Sequence, residues 1–185
     1  MSVHVFYEDS RTPGGDFTLH DLVLACVADR IERNRWDLKA LVLCKPMKGN
    51  ANVLKACIND VRRMKHAHIA AVLDGDELAR LLNVPGSCCK REARAAFGAI
   101  ATDPRLELFV LDHNIETLVE TLGQLKPDLP MMSEALEMDR NARDRVFANA
   151  AAADPGLRAQ LRGKIPSFDR LARKIEGWLG ALQVT

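Results

Sequence analysis

The run His68-Ile69-Ala70-Ala71-Val72-Leu73 constrains this chain more than any other stretch. From Ile69 onward it is apolar throughout, without the polar alternation of a strand that has one wet face. A strand buried on both faces belongs in the middle of a parallel sheet covered by helices. The segments around it fit that requirement, because short apolar runs alternate with helical patterns over the first two-thirds of the chain. VHVFY (3–7) is a first strand candidate, and RTPGGD after it is turn chemistry. Asp16 or Thr18 can cap a following helix that carries Leu19, Leu22, Val23, Cys26, Val27 and Ile31 at helical spacing.

WDLKALVLC (36–44) holds the expected second strand, and KPMKGN the loop after it. Val53, Leu54, Cys57, Ile58 and Val61 then mark an amphipathic helix. DGDELARLLNVPG gives a short helical turn and a stop, residues 88–101 read as helical, and LELFVL (106–111) is the fourth strand. IETLVETL (115–122) opens a further helix. After Pro127 the pattern changes. Residues 131–183 read as wholly helical, in three segments broken at Asp154-Pro155-Gly156 and at Gly163–Pro166, with the alanines of 150–153 closing a helix. The expected fold class is therefore α/β. It is a Rossmann-like sheet of about four mainly parallel strands with helices on both faces and right-handed crossovers, plus a helical C-terminal tail. The expected division is an α/β domain over 1–125 and a helical C-terminal extension over 126–185 packed on it.

A formal net charge of +1 sets up no global field that would draw the chain to nucleic acid or to a membrane, so any such surface must be a local patch. The five cysteines (Cys26, Cys44, Cys57, Cys88, Cys89) are odd in number and form no C-x-x-C pair, which reads as reduced, mostly buried thiols. The N-terminus has acids where a signal peptide needs an apolar core, and no stretch reaches the roughly 18 apolar residues of a membrane span. The expectation is a cytoplasmic protein without membrane contact.

The acids fall in a pattern. Glu8 and Asp9 follow the first strand, Asp74 and Asp76 (in L-D-G-D-E) end the third, and Glu116 lies just past the fourth. In a parallel sheet these groups share the carboxyl edge, where the functional crevice of such folds lies. Acids converging from separate strands are what a hard divalent cation requires, and Gly75 lets the chain turn sharply between the two aspartates. Each has an ordinary structural use as well. D-G-D is a frequent turn, Asp112 or Asn114 can cap the helix near Ile115, and Glu116 is a first-turn acid favoured by the helix dipole. The joint occurrence at three strand ends is what points to a metal.

With the motifs YEDS (7–10), MKGN (47–50), VLDGDE (72–77), NIETLV (114–119) and IPSFDRL (165–171) on the page, the chain resembles the TOPRIM domain. That fold is shared by topoisomerases, primases, OLD-type nucleases and small bacterial nuclease-like proteins. The narrower likeness, to a group of small TOPRIM-like bacterial proteins, runs in order along nearly the whole chain. Tyr7 stands where an aliphatic residue is usual in that group, Leu118 replaces an aromatic, and Gly15-Asp16 follows a long R-T-P-G-G insertion. The resemblance implies that Glu8 is the lone glutamate after the first strand and Asp74 and Asp76 the later D-x-D. It implies a Mg²⁺ (or Mn²⁺) site and phosphodiester hydrolysis or transfer on nucleic acid, with a place in phage defence or nucleic-acid processing.

On that chemistry Asp74 and Asp76 are metal ligands, Glu8 is a ligand or general base, and Glu116 completes a second metal site. Lys48, on the loop after the second strand, reaches the phosphate, or is simply a solvated lysine. Ser10 can bind a ligand water or serve a turn, and His113 can be an acid–base group beside the site or a capping residue. Basic residues cluster at Lys90, Arg91 and Arg94, at Arg140, Arg143 and Arg145, and at Arg158, Arg162, Lys164, Arg170, Arg173 and Lys174. If the tail helices fold over the crevice, the last group supplies phosphate contacts; otherwise it is a solvated helical face. Aromatics at 5% are too few for base-stacking platforms. A non-catalytic TOPRIM-like binding or partner module in a larger complex, with a protein partner or a second copy of the chain, is the other reading. A receiver domain, which needs a lysine at the end of a fifth strand, is disfavoured because the sequence offers four strands and none is followed by a suitable lysine, and an aspartyl phosphatase because the first strand lacks D-x-D.

Overall fold

The computed structural model describes residues 2–8, 19–31, 33, 35–74, 102–111, 115–126 and 149–181. Its centre is a four-stranded parallel sheet in the order β2-β1-β3-β4, built from β1 (Ser2–Glu8), β2 (Val42–Met47), β3 (Ala67–Asp74) and β4 (Leu106–Leu111). As its uniform composition requires, β3 is internal, and it is bonded to β1 from Ser2↔Ala67 to Tyr7↔Val72 and to β4 from Ile69↔Leu106 to Asp74↔Leu111.

Side-chain alternation divides the strands between two cores. Val3, Val5 and Tyr7 of β1, with Ala70, Val72, Phe109 and Leu111, face the larger one. There they meet α1 (Leu19–Ala28), Leu38 of α2 (Arg35–Leu41), α4 (Ile115–Leu125), α5 (Pro155–Lys164) and α6 (Pro166–Gly180). Phe6, Ile69, Ala71, Leu73, Leu106, Leu108 and Val110 face the other way, onto Val53, Cys57 and Val61 of α3 (Asn50–Arg63). The sheet is thus covered on both faces, as expected for an α/β fold. Tyr7, the departure from the aliphatic pattern, is wholly buried in the larger core.

The second strand is displaced from its expected place. Residues 36–41 of the WDLKALVLC stretch are helical, and the strand runs on through Lys45, Pro46 and Met47, which read as loop. Asp37 in the first turn and Lys39 in the last suit the helix dipole, and Leu38 is buried against the core. Pro46 is tolerated because β2 is an edge strand of the sheet, where one row of backbone groups has no ladder partner to supply.

The C-terminal helices start on proline at the first helical position, where a missing N–H costs nothing. Asp154 caps α5 by accepting from the Leu157 N–H at 3.0 Å, after the helical residues 149–153. That hydrogen bond, and then Lys126 at 3.0 Å, hold its carboxyl below the usual range. On α6 the residues Phe168, Leu171, Ile175 and Trp178 are all buried, as the amphipathic pattern predicts. Trp178 stacks on His68 at the start of β3, with ring centroids 4.8 Å apart and planes 7° from parallel. Both helices are packed on the sheet through the larger core.

Candidate functional site

The strand order decides where a ligand would sit. From β1 the chain moves outward to β2, then returns to the other side of β1 to lay down β3 and β4. The order therefore reverses between β1 and β3. In open parallel sheets the crevice for ligands opens at such a point, beyond the carboxyl ends of the strands. Glu8 is the last residue of β1 and Asp74 the last of β3. Since Tyr7 lies opposite Val72, the two acids leave neighbouring strands within about one residue of the same level.

Two further groups share this edge. Glu8 is in register with Met47 of β2, and Lys48 follows it as an exposed residue. Gly49 comes next with φ 82° and ψ 142°, in the region that favours glycine, and this turn aims the chain into α3. The Asn52 side-chain amide donates to the Lys48 carbonyl and braces the turn. The Gly49 carbonyl accepts from the Asn52 and Val53 N–H groups at 3.0 and 3.3 Å, but no side chain caps α3 and its first turn carries no acid. The positive end of a 14-residue helix thus opens at the same edge as Glu8, without a carboxylate of its own to neutralise it. The K-G of MKGN, singled out in the sequence as part of a resemblance, owes its glycine to this turn, which the positive φ requires.

Of the other expected site residues, Glu116 falls in the first turn of α4, which starts four residues after β4 ends, and only its backbone is described. The same holds for Asp74. Asp76, Asp9, Ser10, Asp112, His113 and Asn114 lie outside the described residues, as do the caps Asp16 and Thr18 and the helix expected over 88–101. Glu8 is half-buried. Among the described residues no three His, Cys, Asp or Glu side chains gather as a metal site; Asp76 and the carboxylates of Asp74 and Glu116 lie outside them. The donor set itself, carboxylates on neighbouring strand ends beside a lysine, suits Mg²⁺ or Mn²⁺, which prefer oxygen ligands.

The basic tail is not a uniformly solvated face. Arg158 and Arg162 are buried. Arg158 grips the Asp29 carboxylate with Nε at 2.7 Å and Nη2 at 2.5 Å, and its Nη1 donates to the carbonyls of Ala151 and Ala152. Arg162 donates to Asp169 and to Glu176, each at 2.6 Å. Burial works against ionisation of Asp169, but Arg162 and Arg173 outweigh it and hold its carboxyl below the usual range. Lys174 is paired with Glu107 at 2.6 Å. Arg158 and Arg162 thus join helical segments, and Lys174 joins α6 to β4. The four-residue spacing of Leu157, Leu161 and Ile165 carries the signal, since on a helix it turns the adjacent positions 158 and 162 inward with them. Lys90, Arg91, Arg94, Arg140, Arg143 and Arg145 lie outside the described residues.

The cysteines behave as packed thiols. Burial pushes Cys26 up to about 12 and raises Cys44 and Cys57 as well, so none of the three is a thiolate near neutral pH. No protein-family model, curated protein or solved structure matches the chain. Among the described residues no helix is long and apolar enough to cross a membrane.

Proposed function

We propose that the carboxyl edge is a Mg²⁺-dependent site of TOPRIM type that hydrolyses or transfers phosphodiesters in nucleic acid, in a cytoplasmic protein of phage defence or nucleic-acid processing. The observation that carries this reading is the pair of acids, Glu8 and Asp74, ending neighbouring parallel strands where the strand order reverses. Asp74 and Asp76 are the ligands that the resemblance assigns, with Glu116 as the candidate for a second site. Bound Mg²⁺ would supply a polarised water and offset charge on the phosphate. Glu8, half-buried beside the crevice, serves as general base or further ligand. Lys48 and the uncapped start of α3 offer positive charge to the phosphate oxygens, one through a mobile side chain and the other through fixed backbone dipoles. Buried, unionised thiols fit a reducing compartment.

The test is calorimetric titration of the purified chain with Mg²⁺ and with Mn²⁺, alongside Asp74→Ala and Glu8→Gln. Sub-millimolar binding that disappears in Asp74→Ala, with cleavage of single-stranded DNA, double-stranded DNA or RNA that disappears in Glu8→Gln, supports the reading. Absence of metal binding in the parent chain refutes it and leaves a non-catalytic partner module.

A further inference from the structure

Helix α3 buries Val53, Cys57 and Val61 against the sheet, so its opposite face meets solvent. That face is uniform in charge. Asn52, Lys55, Asn59 and Arg62 recur at helical spacing and are all exposed, in a stripe about 15 Å long. Lys48 extends it at the start, and Arg63, Lys65 and His66 at the other end, each of them exposed. Residues 48–66 hold five of the chain's 26 Lys and Arg but one of its 25 Asp and Glu. Against a net charge of +1 for the whole chain, this is the local patch that a surface for a polyanion requires.

Among the described residues, Lys48, Lys55, Arg62, Arg63 and Lys65 form no ion pair with an acid. The one acid of the segment, Asp60, is half-buried, and Lys45 of β2 holds it at 3.2 Å. Asp103 is likewise held by Arg105 at 2.6 Å. Arg62 and Arg63 are not needed to cap α3, because Arg105 already donates to the Val61 and Met64 carbonyls. Lys48 stands at the positive end of the helix, where its dipole disfavours a cation. A solvated helix face commonly mixes both signs, as α6 does with Asp169 and Arg173 paired four residues apart. The stripe has no aromatic ring on which a base could stack, and no exposed large apolar side chain to enter a bilayer.

We propose that the outer face of α3 is a track for the phosphate backbone of double-stranded nucleic acid, gripped by Lys48, Lys55, Arg62 and Arg63 without base readout. Because α3 begins at the carboxyl edge, a duplex on the track is led to the edge where Glu8 ends β1. That placement rests on the reading of the edge as a phosphodiester site, whereas binding to the track needs only the charges of the helix.

Fluorescence anisotropy of the full chain with a labelled DNA duplex of about 20 base pairs, in EDTA, tests the track apart from the metal site. A Kd in the tens of micromolar is expected at about 50 mM KCl, with log K falling by about 3.6 per decade of salt, the slope for four phosphate contacts. Lys55→Gln/Arg62→Gln should bind more than about tenfold more weakly, with a slope shallower by about 1.8. It should unfold at the parental temperature, because both side chains are exposed. Arg30→Gln/Lys164→Gln, an equal change of charge at exposed positions elsewhere, should bind as the parent does. Failure of the parent to bind, or an equal loss in the two double variants, overturns the proposal. So does tighter binding of the single strand, or equal competition by poly-L-glutamate, which would make the face a dock for acidic protein. Metal binding without duplex binding removes the track alone; duplex binding without metal binding removes the phosphodiester site and leaves the track.

Discussion

Replacing Arg158 tests how much of the C-terminal layer is held by charge. Its side chain is 7% exposed and supplies two bonds to Asp29 and one each to the carbonyls of Ala151 and Ala152. Those carbonyls end the helical stretch 149–153, where backbone acceptors have no partner within the helix. Arg158→Met keeps the apolar stem and removes all four bonds. Loss of one member of a buried ion pair costs about 3–5 kcal/mol. Asp29 is 29% exposed and regains water, which draws the estimate to the lower end. A loss of about 3 kcal/mol is expected, a large share of the roughly 5–15 kcal/mol of a typical domain. Urea unfolding of the parent, Arg158→Met, Asp29→Asn and the double variant forms a cycle. The two single losses should overlap, with a coupling of about 1.5–3 kcal/mol. A single loss below about 1 kcal/mol, or additive losses, would refute the claim that this pair ties α5 to the end of α1.

Three other outcomes follow from the same contacts. Arg105 donates to the carbonyls of Met64 and Val61 at the end of α3 at 2.6 and 2.9 Å; Arg105→Ala should lower Tm and speed amide exchange in that last turn, and Arg105→Lys should restore only part of the loss, since an ammonium cannot span both carbonyls. Burial, then Lys45, pull His4 below its ordinary 6.5 against the opposing charge of Asp60. The unfolded chain therefore takes up a proton that the folded one refuses, and stability should be intact above pH 6.5 and fall below it by up to about 1.4 kcal/mol per pH unit; an unchanged pH slope in His4→Gln, read from urea midpoints at pH 7.5 and 5.5, would contradict this. Cys26 and Cys57, buried and unionised, should resist a thiol reagent at pH 8 in a Cys88→Ser/Cys89→Ser background until urea is added; rapid labelling of the native chain would place them at the surface.

Which elements were legible in the sequence follows from how each one meets the core. β3 shows itself because a strand buried on both faces has no polar position to spare from Ile69 to Leu73, β4 because five of its six residues are buried and apolar, and α3 because one face meets Phe6 and Ile69 while the other meets water. The start of β2 did not show itself. Leu41, Val42, Leu43 and Cys44 have the composition of a strand, yet the helix claims Leu41 and the strand continues through a proline that only an edge can hold. Arg158 and Arg162 misled for a different reason. A count of charges records a basic tail, while the partners that cancel it, Asp29 and Glu176, stand 129 and 14 residues away in the chain.

The proposed carboxyl-edge site depends on something no run of residues encodes, namely which strands become neighbours. Adjacent strands lie about 4.8 Å apart, and two carboxylates on one Mg²⁺ must bring their oxygens within about 4 Å of each other. Had the strands followed the chain order, β2 would stand between β1 and β3, and the backbones of Glu8 and Asp74 would be separated by roughly 10 Å. The pair would then have been two unrelated loop acids. Insertion of β1 between β2 and β3 removes that gap. The helix α3 contributes by covering one face of both β1 and β3 with Val53, Cys57 and Val61, so the apolar packing that brings the two strands together also carries Lys48 and the start of the helix to the same edge. Core and candidate site are in this sense one arrangement: polar substitutions at Phe6 or Val53 would disturb the spacing of the acids before any acid itself was changed.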